Sequence, residues 1–140
     1  MISRLDYCNS VLHGIPKYQR DKLQRIQNVA ARTITGTRST DHITPILKNL
    51  HWLPVEARIN FKILLIAYKI LNGQSTSYLE SILQEYHPSR TLRSSTRLLL
   101  CIPSIKFNSY GGRAFSAAAP ELWNSISGSS YQKSRNSRNI

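Results

Sequence analysis

Acidic residues are scarce in this chain: seven Asp and Glu stand against 19 Lys and Arg in 140 residues, a formal charge of +12. So few carboxylates leave no ready cluster for two-metal chemistry, because several would have to converge from distant positions. The closest pair, Glu80 and Glu85, falls on different sides of a helix at that spacing. Cysteine is nearly absent. Cys8 and Cys101 are 93 positions apart, which excludes a disulfide framework and a Cys-x-x-Cys metal pair and points to a reducing compartment. Long apolar runs are missing too. Ile63–Tyr68 stops at Lys69, far below the roughly 20 residues of a membrane span. No apolar h-region follows Met1, so the expectation is a chain that is intracellular, nuclear or cytoplasmic, not secreted, with no membrane partner.

Recognisable active-site motifs are lacking as well. No P-loop, Gly-x-Gly-x-x-Gly or His-Glu-x-x-His occurs, and none of the 18 serines sits in a nucleophile elbow. His13 follows Cys8, but no second ligand pair comes after it, and His42, His51 and His87 are isolated. Cys8 reads as a buried, inert thiol on an apolar stripe. No metal, no cofactor and no enzymatic activity are expected.

What is present is helical patterning. An apolar share of 41% suffices for a core. Ile2, Leu5, Cys8, Val11 and Leu12 recur at helical spacing and predict an amphipathic helix ended by Gly14 and Pro16. A second helix is predicted from about Lys17 to Thr35, burying Leu23, Ile26, Ala30 and Ile34, with Arg25, Asn28 and Arg32 opposite and Gly36 as its stop. Thr44-Pro45 predicts the cap of a short helix. Pro54 opens the longest one, about Val55 to Leu71, whose apolar residues cover more than half its circumference and mark it as central. Ser77 predicts a cap for a segment through Tyr86. Leu98–Ile102 reads as a strand that could pair with Lys106–Tyr110. Two helical stretches, 113–119 and 121–126, flank Pro120. The expected fold is mainly α: one small helical domain over 1–126, a minor β-hairpin near residues 97–110, and a disordered tail over 127–140.

The basic excess favours an acidic partner, with nucleic acid the first candidate. It falls in three places: the second helix (Lys17, Arg20, Lys22, Arg25, Arg32), the Ser/Thr-rich stretch of Arg90, Arg93 and Arg97, and the tail with Lys133, Arg135 and Arg138. In the helix, Arg20 and Lys22 are expected to point away from Arg25. The stretch 90–97 suits phosphate best, since Arg and small hydroxyls both donate to it. Tyr86, Tyr110 and Trp123 are candidates for base stacking or for packing. The predicted nucleic-acid-binding residues are Arg25, Arg32, Arg90, Arg93 and Arg97.

Several ordered motifs carry a resemblance. Ser3-Arg4-Leu5-Asp6-Tyr7-Cys8-Asn9-Ser10, Gly14-Ile15-Pro16 and the helix Leu23-Gln24-Arg25-Ile26-Gln27-Asn28-Val29-Ala30-Ala31-Arg32 are followed by Asp41-His42-Ile43-Thr44-Pro45. Next come His51-Trp52-Leu53-Pro54-Val55, Arg58, Phe61-Lys62, Leu71-Asn72-Gly73, Pro88-Ser89-Arg90 and Leu92-Arg93-Ser94-Ser95. Tyr110-Gly111, Arg113-Ala114-Phe115 and Ala118-Ala119-Pro120-Glu121-Leu122-Trp123-Asn124-Ser125 complete the set. In this order they resemble a segment of non-LTR, LINE-like retrotransposon polyproteins of the jockey-like and chicken-repeat kind, over about 125 of the 140 residues. The resemblance implies the helical, thumb-side region that follows the reverse-transcriptase palm. It also implies a fragment without the palm's catalytic Asp-Asp motif or the endonuclease, both expected upstream of Met1. The sole methionine at residue 1 fits a reading frame begun at an internal codon. Where the family ends in a further amphipathic helix rich in Phe, Leu and Lys, Ser127–Ile140 departs from it, which implies truncation or a frameshift. Two readings follow. Either the chain is an inert fragment that binds template RNA or RNA–DNA hybrid through phosphate contacts, or it is an interaction remnant that packs on the upstream polymerase domain and binds no nucleic acid itself.

Overall fold

The computed structural model describes residues 6–87, 98–106 and 111–136, with backbone alone over 127–136. The fold is mainly helical, with five α-helices named among the described residues. They are α1 (Lys17–Thr35), α2 (Ile43–Asn49), α3 (Val55–Leu71), α4 (Ser77–Glu80) and α5 (Phe115–Asn136). The chain divides into two compact units, Met1–Lys62 and Ile63–Ile140.

In the first unit, the helix expected before Gly14 does not run through Cys8. Cys8 has φ 50, a left-handed conformation, and a 3-10 turn, Asn9–Leu12, follows it. The apolar stripe is therefore broken: Cys8 is exposed, Val11 is 79% exposed, and Asn9 is buried instead. α1 forms over the predicted residues. Pro16 accepts the first N–H bonds, from Gln19 and Arg20, and Gly36 ends the helix at φ 65. Its buried face is rotated from the predicted one. Ile26 and Ile34 are exposed, and the buried residues are Gln27 and Ala31.

Side-chain amides account for that rotation. Gln27 Nε2 donates to the Leu53 carbonyl at 2.8 Å, and Gln24 Oε1 accepts the Val55 N–H at 2.9 Å. Gln24 Nε2 in turn donates to Gln27 Oε1 at 3.1 Å and to Asn28 Oδ1 at 2.8 Å. These amides satisfy the first N–H of α3, a group that the helix cannot satisfy for itself, and the Leu53 carbonyl two residues before it. Leaving the buried Val55 N–H without a partner would cost on the order of 1–3 kcal/mol, comparable with the burial that the half-covered Ile26 and Ile34 forgo. Arg58 completes the splice. Its Nε donates to Leu53 O at 2.8 Å, and its Nη1 pairs with Asp6 Oδ1 at 2.6 Å.

Ala31, Ile46 and Leu47 form the core where α1 meets α2, with Ile43, Leu50 and Trp52 packed around them. α2 is capped by His42 rather than by Thr44, and without a side-chain bond. It closes through a Schellman motif: Trp52 N donates to Leu47 O at 2.8 Å and His51 N to Lys48 O at 3.0 Å, with His51 left-handed at φ 53.

In the second unit, α3 buries Ile63, Ala67 and Ile70 and closes through the same motif. Here Gly73, at φ 64, holds the left-handed position, and Gln74 N donates to Lys69 O at 2.8 Å. α4 is a single turn capped by Thr76 rather than by Ser77, and it is shorter than the segment expected from Tyr78 to Tyr86. The expected hairpin near 97–110 is not formed among the described residues, and 97 and 107–110 lie outside them. Leu100 instead makes an isolated antiparallel bridge with Glu85, flanked by Tyr86 N to Leu99 O (2.8 Å) and Cys101 N to Gln84 O (2.9 Å). α5 is one helix rather than two. Pro120 lies inside it, fully buried beside Ala117, Ala118 and Ala119. Only one helical bond is lost at a proline, and burial of this small-residue face offsets it. The backbone stays helical to Asn136, into the stretch expected to be a disordered tail. Residues 137–140 lie outside the described residues.

Candidate nucleic-acid interface

The predicted basic residues of α1 separate into three groups. Arg32 is half-buried, and its Nη2 donates to the Asp41 carbonyl at 3.0 Å. Asp41 Oδ2 also accepts the Arg38 N–H at 3.2 Å, so Arg32 clamps the closed turn between α1 and α2. That is a structural task, and it engages one of the guanidinium nitrogens that the expected phosphate role would use. Arg20 pairs with Glu56 at 2.9 Å in a partly exposed bridge that contributes at most about 1 kcal/mol. Arg25 is exposed and has no hydrogen bond or ion pair with the described residues; Asp21, one turn before it, does not pair with it.

Lys22 stands with Arg25 and not away from it. The two are three residues apart, which sets them as neighbours on one face. Lys22 Nζ lies 5.8 Å from the centroid of the Tyr18 ring, a cation–π contact. The Tyr18–Lys22 spacing of four was the signal in the sequence that would have placed Lys22 here. Tyr18 and Val29 are 60% and 63% exposed on the same side.

Arg90, Arg93 and Arg97 lie outside the described residues, as does Tyr110. Of the other aromatic candidates, Trp123 donates its indole N–H to Leu98 O at 2.9 Å and so holds the 98–102 segment. Tyr86 is half-exposed at the rim of a shallow, mostly apolar groove of about 370 Å³, shared with Leu99–Ile102 and Asn124. The polar group of that groove, the Asn124 amide, is engaged on both atoms. Its Oδ1 accepts from Leu100 N at 3.0 Å and its Nδ2 donates to Leu100 O at 2.9 Å.

Among the described residues no three His, Cys, Asp or Glu side chains converge as a metal site would need. No described helix is long and apolar enough to cross a membrane. Searches of protein-family models, curated proteins and solved structures return no match to this chain.

Proposed function

We propose that this chain is the thumb-side, C-terminal part of a non-LTR retrotransposon reverse transcriptase. Alone it is catalytically inert, and in its parent it holds template RNA or RNA–DNA duplex through non-specific phosphate contacts. Its setting is intracellular, nuclear or cytoplasmic, and its protein partner is the upstream polymerase domain. The observation that carries nucleic-acid binding is the unpaired basic pair on α1, Lys22 and Arg25, in a chain of charge +12. The ordered resemblance supports the family. Its quoted residues are also the ones that make sense structurally: Gln24, Gln27, Leu53, Val55 and Arg58 form one polar splice, and Trp123 and Asn124 another.

The exposed Ile26, Val29 and Ile34 of α1 favour the second reading, in which the chain packs on a protein and binds no nucleic acid. A salt titration separates the two. With about four phosphates engaged, log affinity for labelled RNA or RNA–DNA hybrid falls against log salt with a slope near −3 to −4. An Arg90/Arg93/Arg97→Ala variant should bind more weakly and with a shallower slope. Absence of binding by the wild-type chain even at low salt refutes the first reading in favour of the second.

A further inference from the structure

We infer that the outward face of α1 is a strand-binding strip, in which Lys22 and Arg25 take neighbouring phosphates of one nucleic-acid strand and Tyr18 and Val29 lie against its sugars. This inference rests on the nucleic-acid reading above and names the residues that carry it out.

The strip exists because α1 is rotated. With Gln27 buried to 1% exposure and tied to Leu53 O, the opposite side of the helix faces solvent. At 100° per residue, Arg25, Tyr18, Val29 and Lys22 fall within an arc of about 60° centred on that side. Along the axis the cations are separated by about 4.5 Å of rise, and long side chains can open that spacing to suit successive phosphates. The Tyr18 ring steadies Lys22 by the cation–π contact, which orders the ammonium before a ligand arrives.

The arrangement suits a phosphodiester strand better than a protein. Protein interfaces place apolar residues at the centre and deplete charge there, whereas here the two cations are adjacent at the centre of the strip and Tyr18 and Val29 lie at its ends along the axis. A second copy of the chain would bring four like charges together. The C–H faces of a sugar are apolar and suit Val29 and the free face of the Tyr18 ring. Asp21 flanks the strip and is exposed, so it opposes an incoming phosphate.

The test is a salt titration of the full chain on labelled single-stranded RNA, with four variants. Lys22→Ala/Arg25→Ala removes two contacts, and the slope of log affinity against log salt should become shallower by about 1.4. The charge-keeping Lys22→Arg/Arg25→Lys should retain the wild-type slope, and Lys48→Ala, exposed on α2, should leave affinity unchanged. Asp21→Asn should bind about twofold more tightly, a gain that a folding defect cannot imitate. If the wild-type chain binds and the Lys22→Ala/Arg25→Ala variant keeps its slope, the strip is overturned while the nucleic-acid reading stands. If the wild-type chain binds no RNA even at low salt, both are overturned, and the face is left to a protein partner.

Discussion

Gln27 offers the sharpest test of why α1 sits as it does. It is 1% exposed and makes two hydrogen bonds, to Leu53 O at 2.8 Å and from Gln24 Nε2 at 3.1 Å. Each contributes about 1 kcal/mol net. In Gln27→Leu neither partner is orphaned, because Leu53 O keeps Arg58 Nε and Gln24 Nε2 keeps Asn28 Oδ1. The leucine also refills most of the volume. That variant should lose only about 1 kcal/mol. Gln27→Ala adds an unfilled void to the lost bonds and should cost about 3 kcal/mol. Gln24→Ala strips the Val55 N–H and Gln27 Oε1 of their partners inside the protein, and should cost about 2–3 kcal/mol. Urea unfolding followed by circular dichroism, extrapolated linearly to water, reads all three. The expected order is a mild Gln27→Leu and two severe alanine variants. A Gln24→Ala chain as stable as wild type, or a Gln27→Leu chain as weak as Gln27→Ala, would refute the amide splice as the device that orients α1.

Two further outcomes follow from local geometry. His51→Gly should raise stability by about 1 kcal/mol by relieving a left-handed non-glycine residue. Gly73→Ala at the equivalent position of α3 should lower it by about 1 kcal/mol, since a Cβ there meets no atom and the cost is conformational alone; thermal melts compare the two. Asn124→Leu should cost about 2–4 kcal/mol by leaving both backbone groups of Leu100, 2% exposed, without partners. Asn124→Asp, which can accept but not donate, should cost about half as much, with faster exchange of the Leu100 amide in the leucine variant only.

Local signals were legible in the sequence wherever they acted locally. Val55–Leu71 and Lys17–Thr35 were readable because proline precedes each and glycine follows; of the apolar residues of α3, Val55, Ile59, Ile63, Ala67 and Ile70 are buried, whereas Leu64, Ile66 and Leu71 are only half-buried. The face of α1 was not legible. Periodicity counted Ile26 and Ile34 as core, while the deciding partners, Leu53 and Val55, lie 26 and 31 positions from the glutamines they bind. The pairing of Leu100 with Glu85 was hidden for the same reason, since the nearer segment beyond Pro103 made the simpler hairpin. Cys8 was misread because a left-handed residue leaves no trace in hydrophobic spacing. At the candidate site, Arg25 was readable as an exposed cation. Arg32 was not readable as a clamp, because its acceptor is a main-chain carbonyl, which carries no sequence signature.

The Asn124 amide has a consequence for association. A lone extended segment ordinarily offers a row of bare N–H and C=O groups on which another chain can template a ladder. Here Leu99 O and Cys101 N are taken by the 84–86 segment, while Leu98 O and both groups of Leu100 are taken by side chains of α5. The Asn124 carboxamide offers a donor and an acceptor on one side, as a single residue of a neighbouring antiparallel strand does, and so stands in for that residue opposite Leu100. Five backbone groups of the apolar run Leu98–Ile102 are thus engaged from its two sides, which leaves fewer of them on which another chain could add edge-on.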